Sequence, residues 1–183
     1  MDKHTQISSM SSVDRLIEMQ EFKDRMIAAW IMKDCCTGEN LKMWRRPLKD
    51  PIDMSGECMF MGTKYEFNLE IKGRKKDDII LRKFPYAELR QDKYERMRES
   101  TRWGVNLLYM QLLNEKTCYI FNLDTINWKK VETYNWNIKK TQMDENSEKK
   151  VYPIYNIPLE LAFLTLDCSK YYEEYNKRYI DRA

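Results

Sequence analysis

Ten residues in the middle of the chain, Tyr65-Glu66-Phe67-Asn68-Leu69-Glu70-Ile71-Lys72-Gly73-Arg74, restrict the folds open to it more than any other stretch. Tyr65, Phe67, Leu69 and Ile71 alternate strictly with Glu66, Asn68, Glu70 and Lys72, the period of a strand buried on one face. Glu70 and Lys72 therefore point the same way. A carboxylate and an ammonium two residues apart on a rigid strand suit a divalent cation and a positive charge aimed at whatever that cation holds. A cross-strand ion pair on a solvated sheet face explains the same triplet. Two other Glu-x-Lys triplets, Glu21-Phe22-Lys23 and Glu148-Lys149-Lys150, lie outside any alternating strand.

The single histidine, His4, falls in a polar N-terminal segment. Ser-His-Asp or Cys-His catalysis and a His-ligated metal in the folded body are thereby excluded. Five cysteines, Cys35, Cys36, Cys58, Cys118 and Cys168, show no CxxC spacing and read as reduced, buried thiols. Chemistry must then run on carboxylates, lysines, tyrosines and a hard metal. Neither GxxxxGK[ST] nor GxGxxG occurs among the five glycines, which argues against a nucleotide cradled by backbone amides.

The 183 residues suffice for one core and contain no Gly/Ser/Pro-rich linker, so a single domain is expected, 1–183. No apolar run approaches a membrane span and no leader is evident, so a soluble, intracellular protein is expected. Net charge is only +3, but Lys42 to Arg102 carries 16 Lys and Arg against 11 Asp and Glu, and the remainder 16 against 18. The basic excess surrounds the central strand.

The spacing of Val13, Leu16, Ile17, Met19, Phe22, Met26, Ile27, Trp30 and Ile31 predicts an amphipathic helix, started at Ser11-Ser12 and Asp14 and ended at Cys36-Thr37-Gly38. Strands are expected at 41–46 and 57–61, with a turn at Gly62-Thr63-Lys64 into the central strand. The Pro/Gly-containing loop between the first two strands delivers Asp53. A second helical region is expected from Tyr86 to Leu113, broken near Trp103-Gly104, followed by a strand at 117–123 covered on both faces. Strands at 134–138 and 151–155 and a final helix complete the order. Tyr172, Tyr175 and Tyr179 on one stripe of that helix read as packing residues.

Asp53, then Glu70-Ile71-Lys72 after 16 intervening residues, set in the order helix, three strands, helix, strand, resembles the PD-(D/E)xK phosphodiesterase superfamily of restriction enzymes and Holliday-junction resolvases. The resemblance covers about Val13 to Leu123 and implies an α+β, restriction-endonuclease-like core over about 13–123, with a C-terminal β-hairpin and helix over about 124–183. It departs from the family pattern in Pro51-Ile52-Asp53, which leaves Asp50 and Glu57 as alternative first carboxylates. Gln91, Lys93 and Tyr94 fall short of a clean QxxxY pattern. The family implies a Mg2+- or Mn2+-dependent endonuclease acting on DNA, with RNA open and a homodimer allowed, in the cytoplasm of a bacterial or phage-infected cell. By that resemblance Asp53, Glu70 and the Ile71 carbonyl hold the metal, and Lys72 acts on the attacking water and the charge developing on phosphorus. Arg74, Lys75, Arg90 and Lys93 are the expected phosphate contacts. Glu18 or Glu21 on the first helix could hold a water on the metal. A protein of this fold that binds nucleic acid or a protein partner without cleaving is the competing reading.

Overall fold

A computed structural model of the chain describes residues 12–36, 39–47, 50–60, 63–76, 83–137 and 151–181. Helix α1, Ser12–Cys35, buries Ile27, Ala28, Ile31 and Met32, residues that helical spacing puts on one face. Strands β1 (Glu39–Arg45), β2 (Met54–Phe60) and β3 (Thr63–Arg74) then form an antiparallel meander. β3 is the long alternating strand. Phe67, Leu69 and Ile71 pack beneath α1 in one core, while Glu66, Asn68, Glu70 and Lys72 take the opposite face.

Beyond β3 come β4 (Tyr86–Arg90), helix α2 (Gln91–Ser100), β5 (Asn106–Leu113) and β6 (Thr117–Asn122). The C-terminal part adds β7 (Glu132–Asn137), β8 (Val151–Pro158), β9 (Leu164–Asp167) and helix α3 (Ser169–Tyr179). The main sheet runs β1-β2-β3-β5-β6-β9, and a smaller sheet β4-β8-β7. β5 lies parallel to β3, with Glu70 beside Tyr109 and Lys72 beside Gln111. The α+β class, the core order helix, antiparallel meander, helix, strand, and the C-terminal hairpin and helix all accord with expectation.

The stretch 86–113 is not one broken helix. Tyr86-Ala87-Glu88-Leu89-Arg90 alternates in burial and forms β4, and only the polar 91–100 segment is helical. Asn106–Leu113 is a central strand buried on both faces, sending Leu107 and Tyr109 to one core and Leu108, Met110 and Leu112 to the other. Such a run carries no period, so it cannot be told from a buried helix by spacing. The strand beside β3 is therefore β5, and the expected strand at 117–123 is its antiparallel neighbour β6.

Two cores result, one on each side of the main sheet. On one side α1 and α3 cover Leu69, Met110 and Leu112, and Tyr172 and Tyr175 of α3 are buried there. On the other, α2 and the small sheet cover Leu107, Tyr109 and Phe121 with Ala87, Leu89, Met97 and Ile157. Each wholly buried Leu or Ile contributes on the order of 1.5–3 kcal/mol. The polar face of β3 is not the solvated face that its alternation predicts: Asn68 and Glu70 are buried, and Lys72 is exposed. Among the described residues no helix is long and apolar enough to cross a membrane. His4, the turn at Gly62, the run Ile79-Ile80-Leu81 and the polar connection 144–148 lie outside the described residues.

Candidate active site

Asp53 stands at the point where β2 parts from β3. The ladder begins at Met54 opposite Leu69. One residue earlier, the Asp53 amide donates to the Leu69 carbonyl at 3.2 Å, and its Oδ2 accepts the Ile71 amide at 2.9 Å. The side chain thus supplies the acceptor that the departing strand no longer offers, and a buried amide is kept from being orphaned. A residue's N–H and C=O leave an extended strand on the same edge, so the Ile71 carbonyl is on Asp53's side. Asp53 Oδ1 accepts from Arg25 Nη2 of α1 at 2.8 Å. Burial alone would raise this carboxyl, but the Ile71 amide and the Arg25 guanidinium outweigh it and hold the group below its usual range.

Glu70 behaves oppositely. Its side chain is about one-tenth exposed, and Lys93 Nζ of α2 lies 3.0 Å from Oε1. Oε2 is buried with no donor to accept from, and in its neutral form Glu70 shares a hydrogen bond with the Asp53 carboxylate. Burial first, then the neighbouring Asp53 charge, push the Glu70 carboxyl up to about 8 despite the ammonium of Lys93. Two adjacent carboxylates of opposite tendency, one ionised and one driven towards its neutral form, make a place where added positive charge is stabilising.

Both carboxylates line a cavity of about 330 Å3, together with Lys72, Lys93, Arg25, Glu21, Asp50 and Asp24. Lys72 follows Glu70 on the same face and is exposed. Asp24 was not legible in the sequence as a site residue. It is buried on the cavity side of α1, accepts from the Gln20 amide at 2.8 Å, and is raised chiefly by burial. Gly73 makes room for it, since a Cβ at that position would collide with the Asp24 carboxylate. A small residue just after the Glu-x-Lys triplet was the available signal. Arg25 also escaped sequence reasoning, because its partner lies 28 residues away.

The remaining expected site residues divide. Glu21 lines the cavity and pairs with Arg25 at 3.4 Å, whereas Glu18 is not part of the lining. Asp50 is at the rim, held by Arg46 and accepting the Ile52 amide at 2.9 Å. Glu57 is away from the cavity, held by Lys42 and Lys64. Arg74 and Lys75 border an adjoining cavity with Asp24 and Gly73, and pair with Glu88 and Glu115 at 3.9 Å each. Arg90 and Lys93 do not share a helix face, because Arg90 is the last residue of β4. Arg90 pairs with Asp92 and lies over the Tyr152 ring at 4.2 Å, while Lys93 enters the cavity. Tyr94 packs against Trp128 and Tyr155 as a core residue.

Among the described residues no group of three or more His, Cys, Asp or Glu side chains is gathered to hold a metal. Asp53 and Glu70, with Ile71 lining the same cavity, offer oxygen donors. Such a set would suit Mg2+ or Mn2+, which keep several waters and take few protein ligands. Glu70 Oε2, which accepts from no donor, is the atom that such a cation would pair with.

No protein-family model matches the chain, and no curated protein matches it. Among solved structures it is similar to Hjc of Archaeoglobus fulgidus, a Holliday junction resolvase from an archaeal hyperthermophile, with 15% identity, 81% of this chain and 96% of that chain covered, and a TM-score of 0.42. A likeness of that degree assigns no residue a role.

Proposed function

We propose that this chain is a divalent-cation-dependent nuclease that hydrolyses phosphodiester bonds of DNA. One observation carries the reading: two acids, the largely buried Asp53 and the buried Glu70, face each other with no donor supplied to Glu70 Oε2, so that they share a proton, in a solvent-open cavity that also holds Lys72. A lone buried carboxylate oxygen costs stability unless something pairs with it, and a phosphodiester substrate brings negative charge that needs a cation between it and two acids. A cation held by Asp53, Glu70 and the Ile71 carbonyl supplies a more acidic water and polarises the phosphate.

The chain's own groups divide the remaining tasks. Arg25 and the Ile71 amide fix Asp53 so that it presents its charge without a conformational search. Lys72, exposed on the cavity face of β3, orients or deprotonates the attacking water and stabilises the charge that develops on phosphorus. Lys93 works against the rise of the Glu70 carboxyl and so eases the loss of the proton that a cation would displace. Asp24 lines the α1 side of the same cavity without joining Asp53 and Glu70 in a cluster of acids.

Plasmid nicking in Mg2+, Mn2+ and EDTA, with Asp53→Asn and Lys72→Ala as controls, tests the proposal. Cation-dependent nicking by the wild type that both variants lose supports it. Equal nicking by all three proteins, or none by the wild type on duplex, branched and single-stranded DNA, refutes it. A second reading, a nucleic-acid-binding or protein-interaction protein without cleavage, is favoured by the ion pairs already made to Asp53 and Glu70 and by the lack of a third acid gathered with them. It predicts no cleavage on any substrate.

A further inference from the structure

The turn after α2 displays an indole to solvent. Arg102 to Val105 is a β-turn closed by the Val105 amide on the Arg102 carbonyl at 3.2 Å, with Gly104 at φ +84, the value that the third position of a type II turn demands. Trp103 at its tip is fully exposed, at 102% of the reference area. Phe84 and Phe163, the next most exposed aromatics among the described residues, keep two-fifths of their area covered, whereas Trp103 keeps none.

Neither end of this turn is loose. Thr101 Oγ1 accepts from the Asn68 amide at 3.0 Å and donates to the Met97 carbonyl at 2.7 Å, and Asn68 accepts from Ser55 at 2.6 Å. Asn106 donates to the Glu66 carbonyl at 3.2 Å, and Arg102 to the Glu66 carboxylate at 2.7 Å. Glu66 and Asn68 belong to β3 and share the face of Glu70 and Lys72. The indole is therefore mounted on the strand that carries the candidate active site.

Between turn and sheet runs a groove of about 270 Å3, bordered by Trp44, Arg46, Asn68, Ser100 and Arg102. Asn68 is two residues before Glu70 on β3, roughly 7 Å along the strand. Trp44, half exposed, stands opposite Ser55, which in turn stands opposite Asn68. The charged residues that line the groove are Arg46 and Arg102 against Glu66, with Arg46 paired to Asp50 and Arg102, whose side chain is four-fifths exposed, paired to Glu66.

We propose that this groove and its turn are a binding site for unpaired nucleotides of the DNA strand leading from the scissile phosphate, with Trp103 stacking on a base and Arg102 contacting the backbone. The ligand class rests on the nuclease reading. Its unpaired state follows from the chemistry: an indole at a turn tip can stack only on a base whose face is open, and a continuous duplex hides those faces. Stacking on aromatic side chains is worth about 1–3 kcal/mol per base and is indifferent to sequence. The anchored turn avoids the cost of ordering a loop on binding.

Binding is measured in EDTA with the full chain carrying Asp53→Asn, by tryptophan fluorescence and affinity, using a short oligothymidylate and a closed-ended duplex as probes. The oligothymidylate should quench the emission. Trp103→Ala should weaken its binding roughly tenfold or more and remove part of the quenching, whereas Trp103→Phe should retain most of the affinity. Duplex affinity should be unchanged. Arg102→Gln should flatten the slope of log affinity against log salt by about 0.7. Unaltered affinity and quenching in Trp103→Ala overturn the site, as does a wild type that binds no oligothymidylate. If Trp103→Ala instead dissolves a dimer seen by sedimentation and leaves oligothymidylate binding intact, the turn is a protein contact and the proposal is wrong. Cleavage is assayed separately, so tryptophan-dependent binding without nicking refutes the nuclease reading alone, and nicking without tryptophan dependence refutes this site alone.

Discussion

Replacing Glu70 by glutamine separates the electrostatics of the site from its catalysis. In the absence of divalent cations the Glu70 carboxyl is pushed up to about 8 from an ordinary value of 4.5, by burial first and by the charge of Asp53 second. Between those two pH values the folded protein keeps a proton that the unfolded chain has released. Unfolding free energy therefore falls as pH rises through the window, by as much as 1.36 kcal/mol per pH unit. The ceiling is about 5 kcal/mol over the whole interval, and about half of that is expected once water in the open cavity screens the charge. Glutamine carries no charge and its oxygen still accepts from Lys93, so Glu70→Gln should match the wild type near pH 5 and exceed it by about 2–3 kcal/mol at pH 9. For a chain of this length that is roughly 5–10 °C in Tm. Asp53, held below its usual range, titrates at lower pH and leaves this window undisturbed. Urea or thermal unfolding in EDTA from pH 5 to 9 reads the difference directly. Saturating Mn2+ should then restore the wild type at pH 8, by about 2.7 kcal/mol at a hundred times Kd, and leave the variant unmoved. A stability difference that stays constant across the pH range would refute the account of Glu70, whatever the protein cleaves.

Lys72→Ala should lower cleavage by roughly two to four orders of magnitude with DNA affinity little changed; a collapse of affinity with normal turnover of bound DNA would make this lysine a phosphate anchor. Asp53→Asn leaves Arg25, only 12% exposed, with the half-exposed Glu21 as its remaining carboxylate, and should cost about 1–3 kcal/mol in urea unfolding while abolishing most of the Mn2+-induced rise in Tm; an equal rise in both proteins would count against Asp53 as a ligand. Gly73→Ala drives a methyl group into the Asp24 carboxylate and should cost about 1–3 kcal/mol, most of which Asp24→Ala should recover in the double variant; additive losses would show that the two positions do not collide.

β3 could be read as a strand because its two faces differ in polarity at every step, but that period did not show that Asn68 and Glu70 of the polar face are buried as well. The stripe of α1 was plain at Ile27 and Ile31, whereas Leu16, Met19 and Phe22 of the same expected stripe are exposed, and the opposite side of the helix was not legible. Glu18 and Glu21 stand alike as acids of that side, and nothing marks out Asp24 and Arg25, because a charged residue over a cavity and one over bulk water look alike in one dimension. Their partners, Gly73 and Asp53, are supplied by the tertiary fold. Arg90 and Lys93 show how a boundary error propagates. With the helix begun at Tyr86 they become neighbours on one face; with β4 ending at Arg90 one residue goes to Asp92 and Tyr152 and the other to Glu70. Gly104 did mark a break in the expected helix, and its positive φ is the physical reason. What spacing could not supply was that the apolar residues following it belonged to a central strand.

Asp53 is fastened to β3 through both its amide and its carboxylate, at Leu69 and Ile71. The distance between the two acids is thus set by the hydrogen-bonding repeat of a sheet and is independent of the route by which the chain arrives from β1. Exchange of the chain that leads to Asp53 should then leave the acids where they are, provided that the aspartate entering β2 and its neighbour Ile52, buried in the second core, are both kept.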